Sequence, residues 1–111
     1  MRIVITVTSN PRSADVEDQY NDWYDNVHLD ELRSVPGTVS ARRYRRADDQ
    51  MTPQPEGAHR YITIVERDVD TLAAAIADMK ARSGAGFGPG PQLMDREHPP
   101  IVTIWEPLAS E

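Results

Sequence analysis

The chain contains no cysteine, which excludes disulfides, thiolate metal sites and a cysteine nucleophile and fits a cytoplasmic setting. Positive charge is scarce: 12 Lys and Arg stand against 18 Asp and Glu, giving a formal net charge of −6. Nucleic acids and anionic membrane surfaces reward clustered positive charge, so neither is expected as a partner. Long hydrophobic runs are missing too. The opening stretch Met1-Arg2-Ile3-Val4-Ile5-Thr6-Val7 has a short apolar run but not the apolar region of roughly 7–15 residues with a cleavage site that marks a signal peptide. Nothing approaches the roughly 20 apolar residues of a membrane helix. The expectation is a soluble, cytoplasmic protein.

What is present fits one globular domain over residues 1–111, since hydrophobic residues make up 39% of the chain and charged residues 27%, a balance outside the disordered range. Residues 2–8 are β-branched and end at Ser9-Asn10-Pro11, which predicts a strand and a turn. From about 15 to 34 the apolar positions change to helical spacing, with Ser13 or Asp15 as the cap and Pro36-Gly37 as the stop. Residues 38–46 and 59–66 predict two further strands, joined by an exposed hairpin loop rich in Asp and Pro. A second helix opens at Asp68 or Asp70, buries Leu72, Ala75, Ile76 and Met79, and ends before Gly84. After a Gly/Pro-rich loop, residues 101–106 form the last strand. The order βαββαβ defines an α+β, ferredoxin-like fold: a four-stranded antiparallel sheet with two helices on one face.

Two helices on one side cover one face of a sheet, yet these strands are apolar on both. Ile3, Ile5 and Val7 oppose Val4; Tyr61 and Val65 oppose Ile62 and Ile64; Val102 and Ile104 oppose Ile101 and Trp105. Leaving the second face wet forfeits about 25 cal/mol per Å² of apolar area. An identical sheet covers it, so a symmetric homodimer is expected. Scattered apolar exposure of an ordinary monomer is the plain alternative.

The first helix carries the chemistry. On a helical wheel Val16, Tyr20, Trp23, Tyr24, Val27 and Val35 fall on one arc, with Glu31 near its middle and His28 inside it. A carboxylate and an imidazole on a sheet-facing side need partners, and three residues apart they can meet. Tyr24, one turn before His28, can reach it as well. The imidazole is then either a satisfied structural histidine at the core edge, with Glu31 bent out to solvent, or the working group of an aromatic-walled pocket.

The run Tyr20-Asn21-Asp22-Trp23-Tyr24-Asp25-Asn26-Val27-His28-Leu29-Asp30-Glu31-Leu32, with Val35-Pro36-Gly37 and Ser40-Ala41-Arg42-Arg43-Tyr44 after it, resembles the EthD-like branch of the dimeric α/β-barrel superfamily. The resemblance is close over residues 20–45 and elsewhere rests on the order of elements. It implies a homodimer whose two sheets form a barrel with the helices outside and one pocket per subunit between sheet and helices. Similar proteins include polyketide cyclases, muconolactone-type isomerases, cofactor-independent monooxygenases and partners of degradative oxygenases. His28, Trp23 and Tyr24 occupy matching positions of the motif. The polar set of haem-handling relatives has no counterpart here, so no haem and no other cofactor is expected.

Other signals carry less. Arg42, Arg43, Arg45 and Arg46 alternate faces on a strand, which reads as a solvated strand end; if one points inward, Arg42 shares a face with Tyr44 and can hold a carboxylate. The loop from Gly84 to Pro91 comes after a helix and matches no phosphate-binding spacing, leaving a lid with Phe87 as its bulky group. His28, His59 and His98 lack metal-ligand spacing, so no metal is expected. Ser9, Ser40 and Ser83 lack a nucleophile-elbow context.

Together these point to a cofactor-independent isomerase, cyclase or lyase acting on an aromatic or polyketide-like molecule between helix 1 and the sheet. His28, Glu31 and Tyr24 are the expected catalytic group. Tyr20, Trp23, Arg42, Tyr44, Tyr61 and Phe87 are the expected contacts to a hydrophobic or aromatic ligand. A non-catalytic binding protein, or an accessory protein of a degradative oxygenase, needs the same pocket without proton transfer. An orphan structural dimer with a collapsed cavity needs neither.

Overall fold

A computed structural model describes residues 1–84 and 90–109. Four strands, β1 (Arg2–Ser9), β2 (Thr38–Arg45), β3 (Tyr61–Asp68) and β4 (Ile101–Trp105), form one sheet in the order β2-β3-β1-β4, with every neighbouring pair antiparallel. The long helix α1 occupies 17–33, after a 3-10 turn at Ala14–Val16, and α2 spans Leu72–Gly84. This is the ferredoxin-like arrangement. A four-residue helix, α3 (Gly90–Leu93), has no counterpart among the expected elements; Pro11 and Met94 beyond it form an isolated bridge.

Alternation along the strands decides which face meets the helices. Ile3, Ile5 and Val7 share a face with Ala41, Val65 and Ile104 across the ladders, and these pack with Leu29, Leu32, Ala75 and Met79 into one core cluster. Tyr20, Trp23, Tyr24 and Tyr61, with Leu93 and Met94, form a second cluster. The opposite face carries Val4, Ile62, Ile64, Tyr44, Ile101 and Trp105. Tyr44, Ile101 and Trp105 are 50%, 57% and 55% exposed there, although the Trp105 indole donates to the Thr6 hydroxyl (2.9 Å).

Several boundaries differ from the sequence-based expectation. The third strand begins at Tyr61, because His59 is drawn to the Thr8 hydroxyl (2.7 Å) and the His98 carbonyl (2.9 Å) and stands outside the ladder. It runs on to Asp68, whose carboxylate pairs with Arg2 (2.8 Å). The residue that caps α2 is therefore Thr71, whose hydroxyl accepts the Ala74 amide (3.1 Å), as an N-cap does. In β2 a register shift between Thr38 and Ser40 leaves Val39 half exposed.

The turn between α1 and β2 is tied down on both sides. Thr38 donates to the Leu32 carbonyl (3.0 Å), Arg33 to the Ala41 carbonyl (2.9 Å), and the Asp68 amide to Gly37 (2.8 Å). Gly37 has φ +89, and a Cβ there would run into the Asp68 carbonyl oxygen. Gly37→Ala is therefore expected to destabilise the fold by about 1–3 kcal/mol, read as a lower midpoint in urea denaturation.

Candidate functional site

The sequence demands an aromatic face on α1, and the backbone changes its winding to present it. Glu17–Trp23 is α-helical, Tyr24–His28 forms a π turn, and Leu29–Arg33 returns to the α form. Single π turns insert a residue into a helix and recur at functional sites. The insertion rotates the downstream residues by about 100° around the axis. Val27, placed on the buried arc by a regular wheel, is 45% exposed as a result, while His28 turns inward.

His28 stacks on Trp23, with ring centroids 4.5 Å apart and planes 14° from parallel, and meets the Tyr24 ring edge-on at 5.5 Å. Its Nδ1 lies 3.5 Å from Oε1 of Glu31. Burial lowers the pKa of the imidazole below its usual 6.5; Glu31 opposes that shift and the positive Arg43 reinforces it. The ring is therefore neutral at pH 7 and able to accept a proton.

These groups border a cleft of about 570 Å³ between the two core clusters. Trp23, Tyr24, His28 and Leu32 of α1 form one wall; Ile5, Val7, Val65 and Val102 of the sheet form the floor; Met79 of α2 and Met94 close other sides. Size and mostly apolar lining suit a small organic molecule. The indole Nε1 of Trp23 is buried without a hydrogen-bond acceptor among the described residues, so a donor is ready for a ligand oxygen. A depression of about 590 Å³ lies between the end of β2, the loop after it and Arg60, but its wall is mostly exposed residues.

The remaining expected residues are placed as follows. Glu31 stands behind His28. Tyr20 and Tyr61 lie in the aromatic cluster instead of on the cleft wall. The Tyr61 hydroxyl donates to Glu17 (2.6 Å) and accepts from Asn21 (3.2 Å); Tyr20 and Tyr24 hydroxyls share Ser9. Burial pushes the Tyr20 hydroxyl up to about 12 and raises Tyr24 as well, so both stay protonated as donors. Arg42 and Tyr44 project from the other face of the sheet. That placement corrects their expected contact with a ligand beneath the helices: strand parity gives the inward position to Arg43. Phe87 and residues 85–89 of the expected lid lie outside the described residues. Among the described residues no cluster of His, Asp and Glu could hold a metal ion, and no helix is long and apolar enough to cross a membrane.

Arg43 anchors the aromatic cluster. Its guanidinium carbon sits 4.3 Å from the ring centroid of Tyr24, 5.3 Å from that of Tyr61 and 5.6 Å from that of Tyr20. Its nitrogens reach Asp25 (2.7 Å) and Asn21 (3.0 Å), and the side chain is 8% exposed. Arg43→Met is expected to cost about 2–4 kcal/mol, through lost cation–π contacts and broken hydrogen bonds. It should also raise the His28 pKa, a shift visible by NMR titration.

No family model matches the sequence, and no curated protein matches it. Solved structures do resemble it along nearly its full length. HapK from Hahella chejuensis is 20% identical with a TM-score of 0.61, covering 100% of this chain and 96% of that one. An EthD family protein from Bacillus halodurans is 15% identical with a TM-score of 0.64, covering 97% and 99%. A monooxygenase from the gene ActVA-Orf6 of Streptomyces coelicolor, solved with the ligand nanaomycin D, is 15% identical with a TM-score of 0.62, covering 98% and 89%. At these identities the likeness establishes a shared fold. The resemblance drawn from residues 20–45 and the likeness to an EthD family structure agree on it.

Proposed function

We propose that this chain is a cofactor-independent isomerase, cyclase or lyase for an aromatic or polyketide-like molecule, working by acid–base chemistry in the cleft between α1 and the sheet. One observation carries the reading: a neutral imidazole, stacked on Trp23 and backed by Glu31 at 3.5 Å, on the wall of an apolar hollow. With Nδ1 turned to Glu31, Nε2 is the ring nitrogen that takes a proton from an activated carbon or phenol. The Glu31 carboxylate then steadies the imidazolium, and the Trp23 indole donates to the oxygen on which charge develops. Reprotonation of the enolate at another carbon completes an isomerisation. Tyr24 holds the imidazole edge-on and acts as a positioning residue. The neighbour solved with nanaomycin D supports the ligand class.

The homodimer belongs to the same proposal. The exposed apolar row on the outer sheet face is the surface that a second copy would cover. The reading is tested by proton exchange: anthrone, an enolisable polycyclic ketone, is incubated with the protein in D2O and its ring CH2 is followed by NMR. Exchange faster than in buffer supports catalysis. Binding without exchange favours the second reading, a non-catalytic carrier or accessory of an oxygenase, which uses the same apolar hollow.

A further inference from the structure

Arg67 drew no expectation from the sequence. It continues the alternate positions Tyr61, Thr63 and Val65 of β3, so its side chain enters the helix-facing side, opposite Ile3 and Thr38. It is 4% exposed, borders the cleft, and its Nε is buried with no acceptor. Among the described residues none accepts a hydrogen bond from its guanidinium. Asp78, whose charge reaches it, is hydrogen-bonded to Arg82 instead (2.9 Å). Arg82 and Arg96 also border the cleft, against Asp95 as the one carboxylate of its lining among the described residues. In a chain with net charge −6, the sign of charge is reversed around this hollow.

A guanidinium whose Nε is buried with no partner among the described residues is unfavourable unless something completes it. We propose that the ligand of the cleft carries a carboxylate and that Arg67 binds it, fixing which end of the molecule points away from His28. The proposal rests on the cleft being the binding site. The forked geometry of the guanidinium matches a carboxylate by two parallel hydrogen bonds, and the low-dielectric surroundings strengthen them. An apolar body lies over Trp23 and the sheet, with its acidic end towards α2.

The test is calorimetric titration of the full chain at pH 7 with 2-naphthoate and with 2-naphthamide, its neutral counterpart, while the Trp23 indole N–H resonance is followed. The expected result is that naphthoate binds about 10- to 100-fold more tightly, that both probes move the Trp23 signal, and that Arg67→Met abolishes the preference while leaving naphthamide affinity within about twofold. Arg67→Lys should keep only part of the preference, because it loses the two-point contact. His28→Ala should keep all of it. Equal affinities for the two probes, or a preference surviving in Arg67→Met, would overturn the role of Arg67 and leave the cleft standing. If neither probe binds or moves Trp23, the cleft reading fails, and this inference with it. Should Arg67→Met not fold, Arg67→Lys decides: an undiminished preference refutes the assignment.

Discussion

His28→Ala is expected to lower the rate of the proposed enolisation in the cleft by about 10²–10⁴-fold, the contribution of a positioned general base. Binding is much less affected, since Trp23 and the apolar floor remain. The pH profile separates this role from a structural one. Because burial lowers the His28 pKa, the acid limb of the wild-type rate should have its midpoint below 6.5. That limb should vanish in the variant. Stability changes in the same direction: the unfolded chain binds this proton more readily, so His28 weakens the fold as pH falls below about 6.5. His28→Gln should flatten that decline, as read from urea midpoints between pH 7 and 5. Glu31→Gln, which removes the opposing carboxylate, should lower the midpoint of the acid limb further. A variant turning over at the wild-type rate would end the catalytic assignment.

Ile64→Glu is expected to convert the proposed dimer to a monomer. Ile64 sits on β3 between Ile62 and Glu66, on the face away from the helices, with Thr6 and Arg42 opposite in the ladders. Tyr44, Ile101 and Trp105 on the same face are half exposed in the single chain. In a symmetric pairing each subunit contributes one new carboxylate to the same buried layer. Desolvating both should weaken association on the order of a thousandfold or more. Sedimentation equilibrium at micromolar concentration should show two chains for the wild type and one for the variant, with unchanged circular dichroism. A wild-type monomer would remove the proposed pairing.

Element order was legible because period-two and helical apolar spacing are strong along this chain, and Pro36-Gly37 and Ser9-Asn10-Pro11 punctuate it. The double-sided character of the sheet was legible from Val4, Ile62, Ile64 and Ile101. The direction of the faces was not: it depends on where α1 and α2 dock. This is why Arg42 and Tyr44 were assigned to the ligand and Arg43, one position along, was not. The π turn was hidden because local propensity does not announce an inserted residue, and a wheel at 100° per residue misplaces Val27. Arg67 left a usable signal, a charge in phase with the buried Tyr61, Thr63 and Val65. Tyr20 and Tyr61 were expected against the ligand, but their hydroxyls face Ser9, Glu17 and Asn21, partners from other parts of the chain.

The irregular winding at Tyr24–His28 has one more consequence. The two ends of α1 keep different angular frames, joined at a single extra residue. Removing Asp25, Asn26 or Val27 from that turn would keep every chemical group of the cleft in the chain and yet swing the imidazole about a quarter-turn around the axis. What would equip this hollow for the proposed proton chemistry is thus a matter of count as well as kind: the spacing between Trp23 and Leu29 aims the histidine.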